Sequence, residues 1–289
     1  MKSFIKASLG ATAALVLATP ALAQSDAASD AGSWTGPYIG GSGGYGWQPN
    51  NKRDKNETVV FDTNGDGNFD NTVRTAAGGN AFSPGFCRGQ ALGSAPSSCA
   101  GDNDGKIGWS VHAGYDYQMG SFVLGGVVEG GKSGFSNSVS GFSTTPASYT
   151  FTRKLDWDGA ARLRAGFALP TGTLIYGTGG LAYGKIKRSF STTNTFNTFT
   201  DSNRSTDDWG WTAGGGIEQK VAKNFSIGVL YRYTRFNDGA YVVNVANGTP
   251  PSATNPFVNP AFTSGSTDMT RTNSRFDNQS VRATASFRF

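Results

Sequence analysis

The stretch Val281-Arg-Ala-Thr-Ala-Ser-Phe-Arg-Phe289 alternates without a break. Val281, Ala283, Ala285, Phe287 and Phe289 are apolar; Arg282, Thr284, Ser286 and Arg288 are polar. Side chains of a strand point alternately to its two faces, so this segment is a predicted strand with one apolar and one polar face. Chain ends fray unless something pairs with them. A strand that runs to the last residue is therefore expected to close a sheet.

Working back from it, the same rule recurs. Ile107, Trp109, Val111, Ala113, Tyr115, Tyr117 and Met119 alternate with Gly108, Ser110, His112, Gly114, Asp116 and Gln118. A transmembrane strand needs about 9–11 residues, whereas strands of soluble proteins run to about 5–6. This segment has the membrane length. Leu155–Leu169, Trp209–Ile217 and Phe225–Tyr233 repeat the pattern. Pro37–Trp47, Phe122–Phe135 and Leu174–Phe190 follow it less cleanly because glycine blurs the phase. With the C-terminal segment the count is eight.

The connections set the topology. Gln118–Ser121, Pro170–Thr173 and Lys220–Asn224 are tight, whereas 48–106, 136–153, 191–207 and 237–279 are long. Short and long alternate strictly, as periplasmic turns and extracellular loops do in outer-membrane barrels. The predicted fold is all-β: an eight-stranded antiparallel up-and-down transmembrane β-barrel with four long extracellular loops and three short periplasmic turns. A soluble lipocalin-like barrel is the alternative; the alternate long loops and the aromatic strand ends argue against it.

The other end of the chain agrees. Residues 1–23 read as a signal peptide: Lys2 and Lys6, an apolar run Leu9–Ala18, then Ala21-Leu22-Ala23 as a cleavage site. That run is shorter than the roughly 20 residues a spanning helix needs. A short periplasmic segment, 24–33, then leads into the barrel domain, 34–289. Glycine is 41 of 289 residues, about twice the usual ~7%. Basic residues number 25 and acidic 20, and two of the basic ones lie in the leader. The remaining small excess, without charged tails, points to no nucleic-acid partner.

Several stretches resemble one family. They are Trp34–Trp47 (WTGPYIGGSGGYGW), Trp157–Gly166 (WDGAARLRAG), Leu174–Gly184 (LIYGTGGLAYG), Gly210–Glu218 (GWTAGGGIE), Ile227–Tyr233 (IGVLYRY) and the terminal phenylalanine. Together they are similar to the small outer-membrane β-barrels of alphaproteobacteria, the outer-membrane immunogenic or porin-family proteins. They cover the eight strands and little of the loops. The resemblance implies residence in the outer membrane, contact with its lipid, and roles in envelope integrity and surface contact, some members binding haem. It also implies that Phe287 and Phe289 form the signal read by the barrel-assembly machinery. The long first loop, about 48–106, with both cysteines, departs from the family pattern.

Energetics fix which face looks inward. An arginine in the lipid midplane costs roughly 2–4 kcal/mol, so Arg162 and Arg164 are expected inside. The same choice sends Asp116, Glu129, Asp156, Asp158, Glu218, Arg232, Arg282 and Arg288 inward. Eight strands enclose only enough room for side chains, and buried charges must pair. The expectation is an ion-pair network that blocks the lumen; a narrow ion path is the alternative.

Three chemical candidates remain. Asp62, Asn64, Asp66 and Asp70 have calcium-loop spacing with Gly67 at the sharp turn, but the twelfth position is Val73. Cys87 and Cys99 are expected to form a disulfide in an oxidising compartment and to order their loop locally. His112 is the only histidine, so neither a haem or metal ligand pair nor a Ser-His-Asp site at the barrel mouth can be assembled around it. No other cofactor is expected. The reading is a non-enzymatic surface protein with an unidentified extracellular loop partner; a small-solute channel is the alternative.

Overall fold

A computed structural model describes residues 32–49, 56–101, 105–239 and 241–289. The leader and most of the short segment before residue 34 lie outside these. The described strands are β1 (Gly36–Trp47), β2 (Val59–Asp62), β3 (Gly85–Ala91), β4 (Cys99–Gly101), β5 (Lys106–Met119), β6 (Phe122–Lys132), β7 (Ser136–Ser143) and β8 (Ala147–Ala168). They continue as β9 (Thr173–Thr192), β10 (Asn197–Asp201), β11 (Ser205–Ala222), β12 (Phe225–Asn237), β13 (Val243–Asn247), β14 (Thr267–Arg271) and β15 (Arg275–Arg288).

Eight of them pair antiparallel in chain order: β1, β5, β6, β8, β9, β11, β12 and β15. β15 then pairs back with β1, Tyr38 opposite Arg288, so the pairings close on themselves. These are the eight segments read from alternation. At one end the hairpins are tight, with Gly120 and Gly172 supplying the positive φ that the first two turns require. The described chain ends lie there too.

The apolar phase faces out. Ile107, Trp109, Val111, Leu163, Trp209, Val229 and Phe287 are exposed, while Arg162, Arg164, Arg232, Arg282 and Arg288 are buried. The glycines that blur the phase of β1 make room for larger inward neighbours. A Cβ on Gly40 would lie 2.5 Å from His112 Nε2, and one on Gly46 would sit inside the Phe135 ring.

Asp156 departs from its predicted place. The β8–β9 register shifts between Leu155 and Trp157, leaving Asp156 as the extra residue of a bulge. It turns outward and pairs with Lys187 at 2.7 Å, while Leu155 is fully buried. Below the bulge the strand keeps the predicted phase; above it the apolar residues Tyr149 and Phe151 face inward instead.

The long connections, in which the sequence reading placed no strands, hold regular structure. β8 and β9 run to 22 and 20 residues, well past membrane length. β7 pairs with the extension of β8, and the β3–β4 hairpin adds to β7. A second antiparallel sheet, ordered β10-β13-β14-β2, faces this extension. Between them lies an apolar core including Val59, Phe61, Phe82, Tyr149, Phe151, Val243, Val245 and Met269. The Phe61–Phe82 and Phe82–Tyr149 ring centroids are 4.4 and 5.1 Å apart. The four connections together build one folded cap.

Candidate functional site

The inward side chains stack in layers along the strands. At the turn end Trp34 is buried against Val123, Ala168 and Leu174. Above it, Arg288 Nη2 reaches Asp116 Oδ2 at 2.9 Å and Nη1 donates to the Trp34 carbonyl at 2.6 Å. Arg164 lies 3.3 Å from Asp116 and 3.1 Å from Glu218, with its guanidinium 4.3 Å from the Tyr176 ring centre. In this layer two arginines meet two carboxylates.

The middle layer joins Glu129 to Arg162 at 2.8 Å and to Arg232, which also reaches Asp158 at 2.9 Å. Ser133 donates to Asp158 at 2.5 Å. Arg282 Nε donates to Ser42 Oγ at 2.9 Å; among the described residues no carboxylate lies within ion-pairing reach of it. His112 Nε2 lies 2.9 Å from Ser286 Oγ. Between these two layers is a cavity of about 30 Å³, room for about one or two waters.

Next comes an apolar layer: Phe135, Leu155, Ala182, Ile186, Phe236 and Phe276. Above it is a third ionic layer, which sequence reasoning missed. Arg153 meets Asp238 at 2.9 Å, Arg188 meets Asp238 and Asp208 at 2.5 and 3.1 Å, and Arg271 meets Glu57 at 2.5 Å. Asn137 Oδ1 accepts from both Arg153 and Arg271. Burial pushes the Asp238 carboxyl up, but Arg153 and Arg188 together outweigh it and hold the group below the usual carboxylate range. The order is legible on β12 and just beyond it, where Arg232, Phe236 and Asp238 belong to successive layers. Arg153 lies beyond the bulge, where the simple phase of β8 no longer applies, Arg188 keeps the inward phase of β9, and Glu57 and Arg271 come from the long connections. No local signal ties them together.

The calcium-type loop is a self-capped turn. The Asp62 carboxylate accepts the backbone N–H groups of Asn64, Gly65 and Gly67. Asp66 accepts from the Asn64 side chain and the Asn68 N–H, and Asp70 from the Asn71 side chain. Val73, where a bidentate acid belongs, is buried in the cap core. These residues do not fit a calcium site.

Cys87 and Cys99 are bonded, with Cα atoms 6.4 Å apart. The bond ties β3 to the start of β4 at the edge of the large sheet. The expected purely local loop is therefore stitched to β7, Cys87 opposite Ser140. A 12-residue closure contributes roughly 3 kcal/mol in the entropy model. The Cys87→Ser/Cys99→Ser variant should gain protease cuts between 85 and 101 while the ring stays folded. Cuts elsewhere, or an unfolded ring, would overturn this.

The sequence profile described as the outer membrane protein beta-barrel domain matches residues 9–289. The chain belongs to this outer membrane β-barrel family. Among family relatives, a 31 kDa outer-membrane immunogenic protein of Brucella melitensis is 30% identical over 247 residues, 81% of this chain and 87% of that protein. A 22 kDa outer membrane protein of Rhizobium leguminosarum bv. viciae is 33% identical over 135 residues, 47% of this chain and 55% of that one. Among solved structures, the outer membrane protein OprG of Pseudomonas aeruginosa is similar with a TM-score of 0.47 at 10% identity, covering 90% of this chain and 99% of that one. The family assignment agrees with the resemblance carried by the strand motifs.

Proposed function

We propose that this protein is a closed, non-enzymatic barrel of the bacterial outer membrane that holds a folded cap at the cell surface, where the cap makes the contacts. The observation that carries the reading is the layered interior: apolar, ionic, ionic, apolar, ionic, from the turn end to the cap. The cavity between the two lower ionic layers has room for only about one or two waters, which supports a closed lumen. The exposed aromatic and aliphatic belt, including Trp109, Trp209, Leu163 and Val229, supports contact with lipid. In this reading the leader directs export, and the disulfide forms in the periplasm before the cap reaches the surface.

Planar-bilayer recording of the purified protein tests the closed lumen. Silence is expected; steady unitary conductance, lost or altered in Arg162→Ala/Arg164→Ala, would favour the channel. The barrel itself should be heat-modifiable: the folded protein in mild detergent should migrate differently on a gel from boiled chain, because closed pairings leave no free edge. Equal mobility would count against it. A chain ending at Arg288 should reach the outer membrane several-fold less well, though as stable once folded, since Phe289 is exposed at the turn end as a handle for assembly. Normal membrane levels would remove Phe289 from that role.

A further inference from the structure

The cap contains a cavity of about 260 Å³ with a distinctive lining. At its floor Phe82, Tyr149 and Phe257 pack on one another with ring centroids 5.1 to 5.9 Å apart and are 1 to 3% exposed, so the open aromatic face of the cavity is that of Phe196. Its rim carries hydroxyls and amides, among them Thr145, Ser252, Thr254 and Asn255. Among the described residues no lysine, arginine, histidine, aspartate or glutamate lines it. That lining favours a neutral ligand over an ion, which needs a counter-charge in so enclosed a place.

Phe196 stands at the mouth with 77% of its surface exposed. Its position is held. Asn194 Oδ1 accepts the N–H groups of Phe196 and Asn197, and Asn194 Nδ2 donates to Tyr149 Oη and Asn197 Oδ1. The exposed ring is therefore presented at fixed cost before any ligand arrives. Lining residues come from all four long connections, so the cavity exists only in the assembled cap.

We propose that this cavity binds one neutral sugar residue. A pyranose has an apolar C–H face that suits the open Phe196 ring and a rim of hydroxyls that suits Ser, Thr and Asn side chains. The volume is just under that of drug-sized sites, which begin at about 300 Å³. It suits a single ring rather than a chain, the rest of a glycan leaving past Phe196. The site deepens the surface-contact reading and rests on it for where the glycan comes from.

The test uses the full mature chain, folded in a detergent without a sugar headgroup. Saturation-transfer NMR with the methyl glycosides of glucose, galactose, mannose and N-acetylglucosamine should find at least one ligand in the millimolar range. Phe196→Ala and Thr254→Val, both at exposed positions, should each weaken it about five- to tenfold without altering the heat-modifiable band. A methyl glucuronide and cyclohexanol should bind far more weakly. The site is overturned if no neutral glycoside binds, if cyclohexanol binds as well as the best sugar, or if Phe196→Ala changes nothing. Protease accessibility of the cap on whole cells is a separate measurement. Sugar binding with an inaccessible cap would leave the site standing and remove the surface reading.

Discussion

Replacing Arg164 by methionine should destabilise the ring by about 3–5 kcal/mol, because it leaves carboxylates buried without their counter-charge. Arg164 sits 3.3 Å from Asp116 and 3.1 Å from Glu218, and its side chain is 6% exposed. Methionine fills much of the same space, so the loss is mainly of charge. Arg288 then faces Asp116 alone, and Glu218 keeps only the Ser226 hydroxyl at 2.6 Å. Urea unfolding of protein refolded into lipid vesicles gives the midpoint. Adding Glu218→Gln to Arg164→Met should recover part of the loss, which a simple packing defect would not. Lys187→Met, which removes the exposed partner of Asp156, should leave the midpoint where it was. Equal midpoints for Arg164→Met and the parent would sink the interior network as a stabilising element.

The second large effect belongs to the outer face. Leu163 is 76% exposed and lies mid-strand, opposite Gly126 and Gly179. Leu163→Arg should cost about 2–4 kcal/mol in vesicles if this surface meets hydrocarbon near the midplane. Leu92, 75% exposed in the cap, makes the contrast: Leu92→Arg should be nearly neutral, as surface changes usually are. The two leucines are equally bare, so only the surrounding medium separates them. The same midpoint for both variants would mean that the belt does not face lipid.

The ring was legible because one physical demand, an apolar exterior around a polar interior, writes a period of two into every spanning strand. Trp109 and Val111 follow it outward, and Arg282 and Arg288 follow it inward. The bulge at Asp156 was not legible, since one extra residue reverses the phase without any change in composition. The cap was hidden for a different reason. Its strands are as short as Val59–Asp62 and Thr267–Arg271, and they pair across some two hundred positions, Asp62 opposite Asp268. Short segments carry too few residues for a period, and no single-sequence pattern names a distant partner. The calcium-like spacing misled because Asx turns and calcium loops draw on the same residues. A binding screen on the excised stretch 48–106 would fail for the same reason: Phe61 and Phe82 would lose the neighbours from β7, β8 and β14 that bury them.

Because the four connections supply strands to the same cap, its sheets and its core join residues far apart in sequence. An epitope that spans neighbouring cap strands is discontinuous. An antibody that reads across those paired strands recognises residues brought together only by folding, and a linear peptide does not replace it. Variation is constrained in the same way. A changed side chain in the buried core of the cap has to be accommodated by residues from the other connections, whereas exposed turn positions such as Asn64 and Asp66 can vary one residue at a time.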